Sequence, residues 1–552
     1  MTTAPPSPTT ADARRVRALA RAVAKVLRRD ETPSLSAADT AWMEARPQSL
    51  PLLLDAAVAA ITAGGRDEEL VIACRWLLAN QLELIRYRLE RGHGWARAML
   101  DAHMEQMIAL ARDNTLPETD WFALVALLND AKVPIPAEMA EALAAAVAEP
   151  THGKAPSPQD GPREVRDALD TLARSADDAF MVVEQLAETG TLIPPERRAY
   201  LTHELGLSPH AMLREAVPLL LLDPQPAVRK AAAAVLEQVA GPETVSPEML
   251  RRILLVRNWV PEAEREAVDR LARKVRLKGV ACAQWPPAPT LEIHCSIVDG
   301  SGAQSLLITT PARRAVLFAG RGLFAGLLLK QGFGVRDAWC GLSVPRRDIA
   351  RSLKEVQREV VWFEVGRDHL DVVVQHHIAR GLAMGNLPLA ALIAVAEAVG
   401  AADWKDRSLD VAAETERLFA ALGPAAGAAS AVTSSLQRSG RWLAKDPMMR
   451  SWLDDDAEIR TLADGRPRPK RDLALRRMLE EVLPARREAW AERLLLLALW
   501  LRAAAGNTLP AERYQDSVVL ARELIIGRPL AELPAMVAIA ERSLTAAGVA
   551  SW

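Results

Sequence analysis

From Met212 to Ala240 the apolar positions recur every three to four residues, break at a proline-punctuated turn, and then resume. This period predicts two helices packed as a pair. Met212, Ala216, Leu219 and Leu220 share a face of the first helix. Asp223 ends it, because Pro224 has no donor and a fixed φ. Pro226 suits the first turn of the second helix, where its missing N–H costs nothing. Val228, Ala231, Ala232, Val235 and Val239 form the inner stripe of that helix, with Lys230 on the outer face. Gly241-Pro242 closes it. Neither helix buries its stripe alone, so each needs neighbouring pairs.

The same period organises most of the chain. Residues 1–12 are polar and Pro-rich and are expected to form a disordered tail; residues 13–149 read as successive amphipathic helices. The longest of these spans Arg66–Arg91, with Leu78, Leu82, Ile85 and Leu89 as its buried face. Residues 150–162 form a Pro/Gly/Ser-rich linker, and helix pairs run over 163–278. At Gly279 the period changes. Leu291, Ile293, Cys295 and Ile297 alternate with polar residues, Asp299-Gly-Ser-Gly302 follows, and residues 303–310 are again apolar. This is a hairpin signature, since glycine supplies the positive φ of the turn. A third strand is expected at 315–319 and a helix over Leu323–Lys330. The small β-containing module therefore covers 279–345, and residues 346–552 are helical, with a break or kink at Pro484.

Asp223, Val228 and Arg229, followed by Ala231 and Ala232, with Pro218 inside the first helix, resemble the inter-helix turn and second helix of a HEAT repeat. The resemblance covers one repeat, 212–240; other helix pairs are similar only in general form. It implies a mainly α, solenoid-like architecture in which the turn Asp and the Arg form a ladder between stacked units. It also implies a binding surface, and names neither partner nor chemistry.

Composition agrees with a helical chain. Half of the 552 residues are hydrophobic, and the formal net charge of −2 gives no global basic field for nucleic acid or anionic membrane. Four cysteines without a CxxC make a disulfide framework unexpected, and a reducing cytoplasm is the simplest setting. The longest apolar runs, such as Leu494–Leu501, fall short of a membrane span.

Few residues suggest chemistry. His369 and His376 share a helix face with Asp368 or Asp371 nearby, but two turns separate the imidazoles by about 10 Å, too far for one metal ion. Cys282, His294, Cys295 and Cys340 are irregularly spaced, and His294 and Cys295 point to opposite faces of a strand. No metal or other cofactor is expected. The glycines at 300, 302, 320 and 322 fit no phosphate-loop fingerprint, and no GxSxG is present. Gly332–Trp339 is the unusual loop. Phe333 and Trp339 anchor a structural corner, or Phe333, Arg336, Asp337 and Trp339 form a recognition loop on a rigid scaffold. Arg466, Arg468, Lys470, Arg471, Arg476 and Arg477 form a basic stretch without interleaved aromatics.

The expected function is a non-enzymatic interaction or scaffold role with another protein as partner. Two alternatives stand beside it. One is an enzyme whose site lies between the 280–345 module and helices 345–385, gathering Arg336, Asp337, Asp371 and His376. The other is a nucleic-acid-associated factor using 466–477.

Overall fold

Side-chain caps and prolines open several helices where the sequence places them. Ser246 accepts from the Met249 N–H (3.2 Å) at the start of Pro247–Val256, and Pro261 precedes Glu262–Leu277. The computed structural model describes residues 8–29, 33–63, 65–90, 94–113, 116–131, 133, 135–148, 161–190, 193, 195–311, 320–356, 361–445, 449, 451–454, 458–459, 462, 471–504 and 511–547. The chain is mainly helical with one small five-stranded antiparallel sheet. It divides into two units: residues 1–164 with 184–197 and 545–552, and residues 165–183 with 198–544.

Among its described residues the first unit has helices and no strand. It begins at Thr10–Leu27, inside the expected tail, where Thr9 and Asp12 form a reciprocal capping box. The long helix is Glu68–Glu90, and Leu78, Leu82 and Ile85 are each 1% exposed on its inner face. Asp120, fully buried, is held by Arg66 (2.8 Å) and Arg75, so its charge is compensated. Most of the expected linker at 150–162 lies outside the described residues; Gly161 and Pro162 open the helix Gly161–Ser175.

The second unit starts with helix pairs. The first helix of the pair runs as α-helix over Ala211–Ala216 and tightens to 3₁₀ over Val217–Leu222, where Pro218 lacks an N–H and every residue is buried. Pro226–Gln238 follows, with Val228, Ala232 and Val235 buried and Lys230 exposed as predicted, whereas Ala231 and the C-cap Val239 are only half-buried and Leu236 joins the inner stripe. Val228→Asp puts a carboxylate at a position only 1% exposed, where desolvation costs several kcal/mol or neutralises the group. A drop in thermal midpoint of many degrees is expected for Val228→Asp, and almost none for Lys230→Glu; the reverse order would show the helix phase to be wrong.

The sheet has strand order β4-β3-β2-β1-β5, with β1 Glu292–Ser296, β2 Ala303–Thr309, β3 Arg321–Lys330, β4 Gly334–Pro345 and β5 Trp362–Val365. The predicted first hairpin is present. Asp299 Oδ1 accepts from the Ser301 and Ala303 N–H groups (2.9 and 2.8 Å), and Gly302 takes φ +73°. Two expectations are corrected. Leu323–Lys330 is strand, not helix, and Gly334–Trp339 is the first half of β4, not a loop. Leu323, Ala325, Leu327 and Leu329 are buried while Phe324, Leu328 and Lys330 are half-buried, a period of two that an almost wholly apolar run hides in the sequence. The expected strand at 315–319 lies outside the described residues.

One face of the sheet carries Ile293, Cys295, Leu306, Ile308, Ala325 and Leu327, all buried. The helices Arg367–Ala383 and Ala391–Val399 pack along β3 and β4. Trp500, on the helix Arg487–Ala503, donates to the Cys295 carbonyl (2.9 Å) and stacks on Phe363. Pro484 breaks the block before it, which passes through π- and 3₁₀-turns between Met478 and Arg486.

Candidate functional site

The four residues of the expected recognition loop fall on the β3–β4 hairpin. β4 is an edge strand. A bulge sits where Leu328 pairs with Asp337 and Leu329 pairs with Val335, so Arg336 is the extra residue. The bulge re-aims its guanidinium over the Phe333 ring, 4.7 Å from the centroid. Asp337 Oδ1 accepts from the next backbone N–H, Ala338 (3.0 Å). Trp339 pairs with Gly326 and shares its sheet face, the one opposite Ala325 and Leu327. A Cβ at Gly326 would overlap the Trp339 indole, so glycine is what lets the ring lie flat on the sheet. Phe324 meets that ring edge-on at 4.7 Å.

The sequence did not single out Phe324, Gly326 or Leu342. Their signal was a period of two through Leu323–Lys330 and Trp339–Val344, hidden by the glycines. Leu342 is 71% exposed and Trp339 39%, and Ser343 beside them is also exposed. Arg321 reaches across to the Ser343 carbonyl and hydroxyl (both 2.8 Å).

The residues that would have marked an enzyme pocket have separate partners. Asp371 pairs with Arg367 (2.8 Å) and accepts from Trp404 Nε1 (2.7 Å). His376 is buried; its Nδ1 accepts from the Leu409 N–H (3.0 Å) and its Nε2–H donates to Glu492 (2.9 Å). Arg380 takes the other Glu492 oxygen (3.0 Å). Burial works to raise the Glu492 pKa, but the His376 hydrogen bond and charge, Gln331 and Arg380 outweigh it and hold the carboxyl below its usual range. Arg493, the next residue, stacks on Trp490 and bonds Gln331 (2.6 Å) and the Gly300 carbonyl (2.6 Å). This polar seam ties the β1–β2 and β3–β4 turns to the Arg487–Ala503 helix.

Cys295 Sγ lies 3.8 Å from His369 Nε2. Burial pushes the thiol well up, and burial, then the Arg502 charge, pushes the imidazole down to about 4. Both are neutral at pH 7, the opposite of an activated thiolate–imidazolium pair. Cys282 is exposed, and the half-buried Cys340 thiol is pushed up to about 11 by burial, Asp178 and Glu397. Among the described residues no three His, Cys, Asp or Glu side chains converge as a metal site. No helix among them is long and apolar enough to cross a membrane.

Of the basic stretch, Arg466, Arg468 and Lys470 lie outside the described residues. Arg471 pairs with Glu541 (3.8 Å) and Arg477 with Glu481 (3.1 Å), local ion pairs on a helical surface.

Comparison with known proteins gives two regional matches. Residues 194–279 match the Y4lR second domain, and residues 412–548 match the Y4lR C-terminal helical domain. Over 379 residues the chain is 25% identical to "Uncharacterized protein y4lR" of Sinorhizobium fredii (strain NBRC 101917 / NGR234), an alignment covering 68% of this chain and 70% of that protein. No solved structure matches the chain. The sheet lies between the two matched regions and belongs to neither.

Proposed function

We propose that the protein is a non-enzymatic binding scaffold, and that it takes an extended segment of a protein partner along β4. The observation that carries this reading is an edge strand with Trp339 and Leu342 exposed on it. An edge strand offers unpaired backbone groups, and natural proteins blunt such edges with charge or proline unless pairing is wanted. Between Ala338 and Val344 β4 itself has neither, although the pairing shifts there from Gly322–Val344 to Phe324–Gly341 and Arg321 occupies the Ser343 carbonyl, so the open part of the edge centres on Ala338–Leu342. Strand addition supplies affinity through the main chain and specificity through alternate side chains. The aromatic pair Trp339–Phe324 provides a rigid anchor at one end of the strip.

The helix pairs of 163–278 are, in this reading, HEAT-like repeats that hold the sheet in place. Their support is a chain of ion pairs of the kind the resemblance implies. Arg198 pairs with Asp223; Arg229 donates to the Asp223 and Pro224 carbonyls (2.8 and 3.0 Å) and pairs with Glu264 (2.8 Å). Successive helix pairs are thereby linked through one turn. A partner protein in a cytoplasmic setting fits this role.

The test is selection of random extended peptides displayed on phage against the full-length protein. Enriched peptides should be rich in β-branched and aromatic residues, and Leu342→Lys should weaken them about tenfold or more without changing the melting temperature. Peptides that bind Leu342→Lys as well as the parent would remove β4 as the site.

A further inference from the structure

A second surface lies on the helix pairs and has different chemistry. The helix Glu262–Leu277 ends with Arg270, Arg273, Lys274, Arg276 and Lys278, and no acidic residue occurs from 270 to 279. Arg273, Lys274, Arg276 and Lys278 are exposed, and of these Arg273 lies close enough to Asp269 to help Arg257 hold its carboxyl below the usual range. Asp269 is engaged bidentately by Arg257 (3.0 and 3.2 Å), and Glu266 pairs with Arg270 (3.8 Å). Arg273 and Arg276 flank an open, shallow cleft lined also by Leu254, Asp269, Ala272 and Leu277. Its floor is aliphatic, and Leu277 is 81% exposed, the largest exposure among the large apolar side chains described. The chain as a whole carries a net charge of only −2, so the positive field here is local.

We infer that this cleft binds an acidic linear segment of a partner protein, one apolar side chain seated between Leu254 and Leu277 and flanking carboxylates on Arg273 and Arg276. The guanidiniums suit carboxylates because they pair with them in a bidentate fork. The aliphatic floor suits a leucine-sized anchor, since covering Leu277 removes apolar area from water. Nucleic acid fits less well. No aromatic side chain lines the cleft for base stacking. The site is on the helix pairs and does not rest on the β4 reading; either can fail alone.

The probe is a fluorescein-labelled peptide of glutamates around two leucines, titrated against the full-length protein by anisotropy. Saturable binding is expected, weakening severalfold when salt rises from about 0.05 to about 0.3 M. Arg273→Glu with Arg276→Glu should weaken it about tenfold or more, and Leu277→Asp should do so with the cations intact. Arg347→Glu, an exposed charge on another helix, should leave it unchanged. Matched melting temperatures establish that each variant folds. Three results would overturn the proposal: no saturable binding, equal binding by the double variant, or tighter binding of an oligouridine RNA than of the peptide.

Discussion

Lowering the pH from 7 to 4 should strip the protein of several kcal/mol of stability through its buried histidines. His103, His369 and His377 are all buried, and burial depresses each imidazole from 6.5 to about 4. A folded-state value below the unfolded one means that the unfolded chain binds the extra proton first. The stability is therefore complete above pH 6.5 and is lost as pH falls towards 4. Each such histidine contributes roughly 3 kcal/mol across that window. His103 acts on the first unit and the other two on the second. Urea unfolding at a series of pH values should show the loss, and His369→Leu should flatten the slope for the second unit. A flat profile between pH 6.5 and 4.5 would mean that these rings are hydrated.

Glu492→Ala should be among the most damaging single substitutions in the chain. It leaves the His376 Nε2–H and the Arg380 guanidinium without their acceptor, with His376 buried and Arg380 half in solvent. Removing one partner of a buried charge network costs about 3–5 kcal/mol. Glu492→Gln keeps an oxygen for His376 and should lose less. The Glu492 carboxyl is held below its usual range, so its own contribution persists until the pH falls below about 4.5, later than that of the histidines. A double-mutant cycle with His376→Ala separates the pair from the rest of the seam, and additive effects would show that the two side chains do not interact.

The helix pairs were legible because their signals are local. A period of 3.6, prolines at the turn and Asp223 beside Arg229 suffice to place Val228 inside and Lys230 outside. The first hairpin was legible for the same reason, through Asp299 and Gly302. β3 and β4 were not. Gly326 lies in a run that reads as helix until the register shows the Trp339 indole lying on it, and the bulge at Arg336 breaks the alternation that would have marked a strand. The Gly332–Trp339 segment stands out in composition, but its place on an edge strand depends on pairing with residues that read as helix. The Glu492–His376 contact spans 116 positions. Its only trace in the sequence is a lone carboxylate at the head of the apolar run Leu494–Leu501.

The central claim is that β4 receives a partner strand, and amide hydrogen exchange tests it most directly. Full-length protein is exchanged with and without a saturating peptide from the display selection. The account predicts new protection over residues 338–344, since strand addition gives the outer amides of an edge strand acceptors they otherwise lack. Protection confined to other segments, with β4 exchanging as in the free protein, would contradict it.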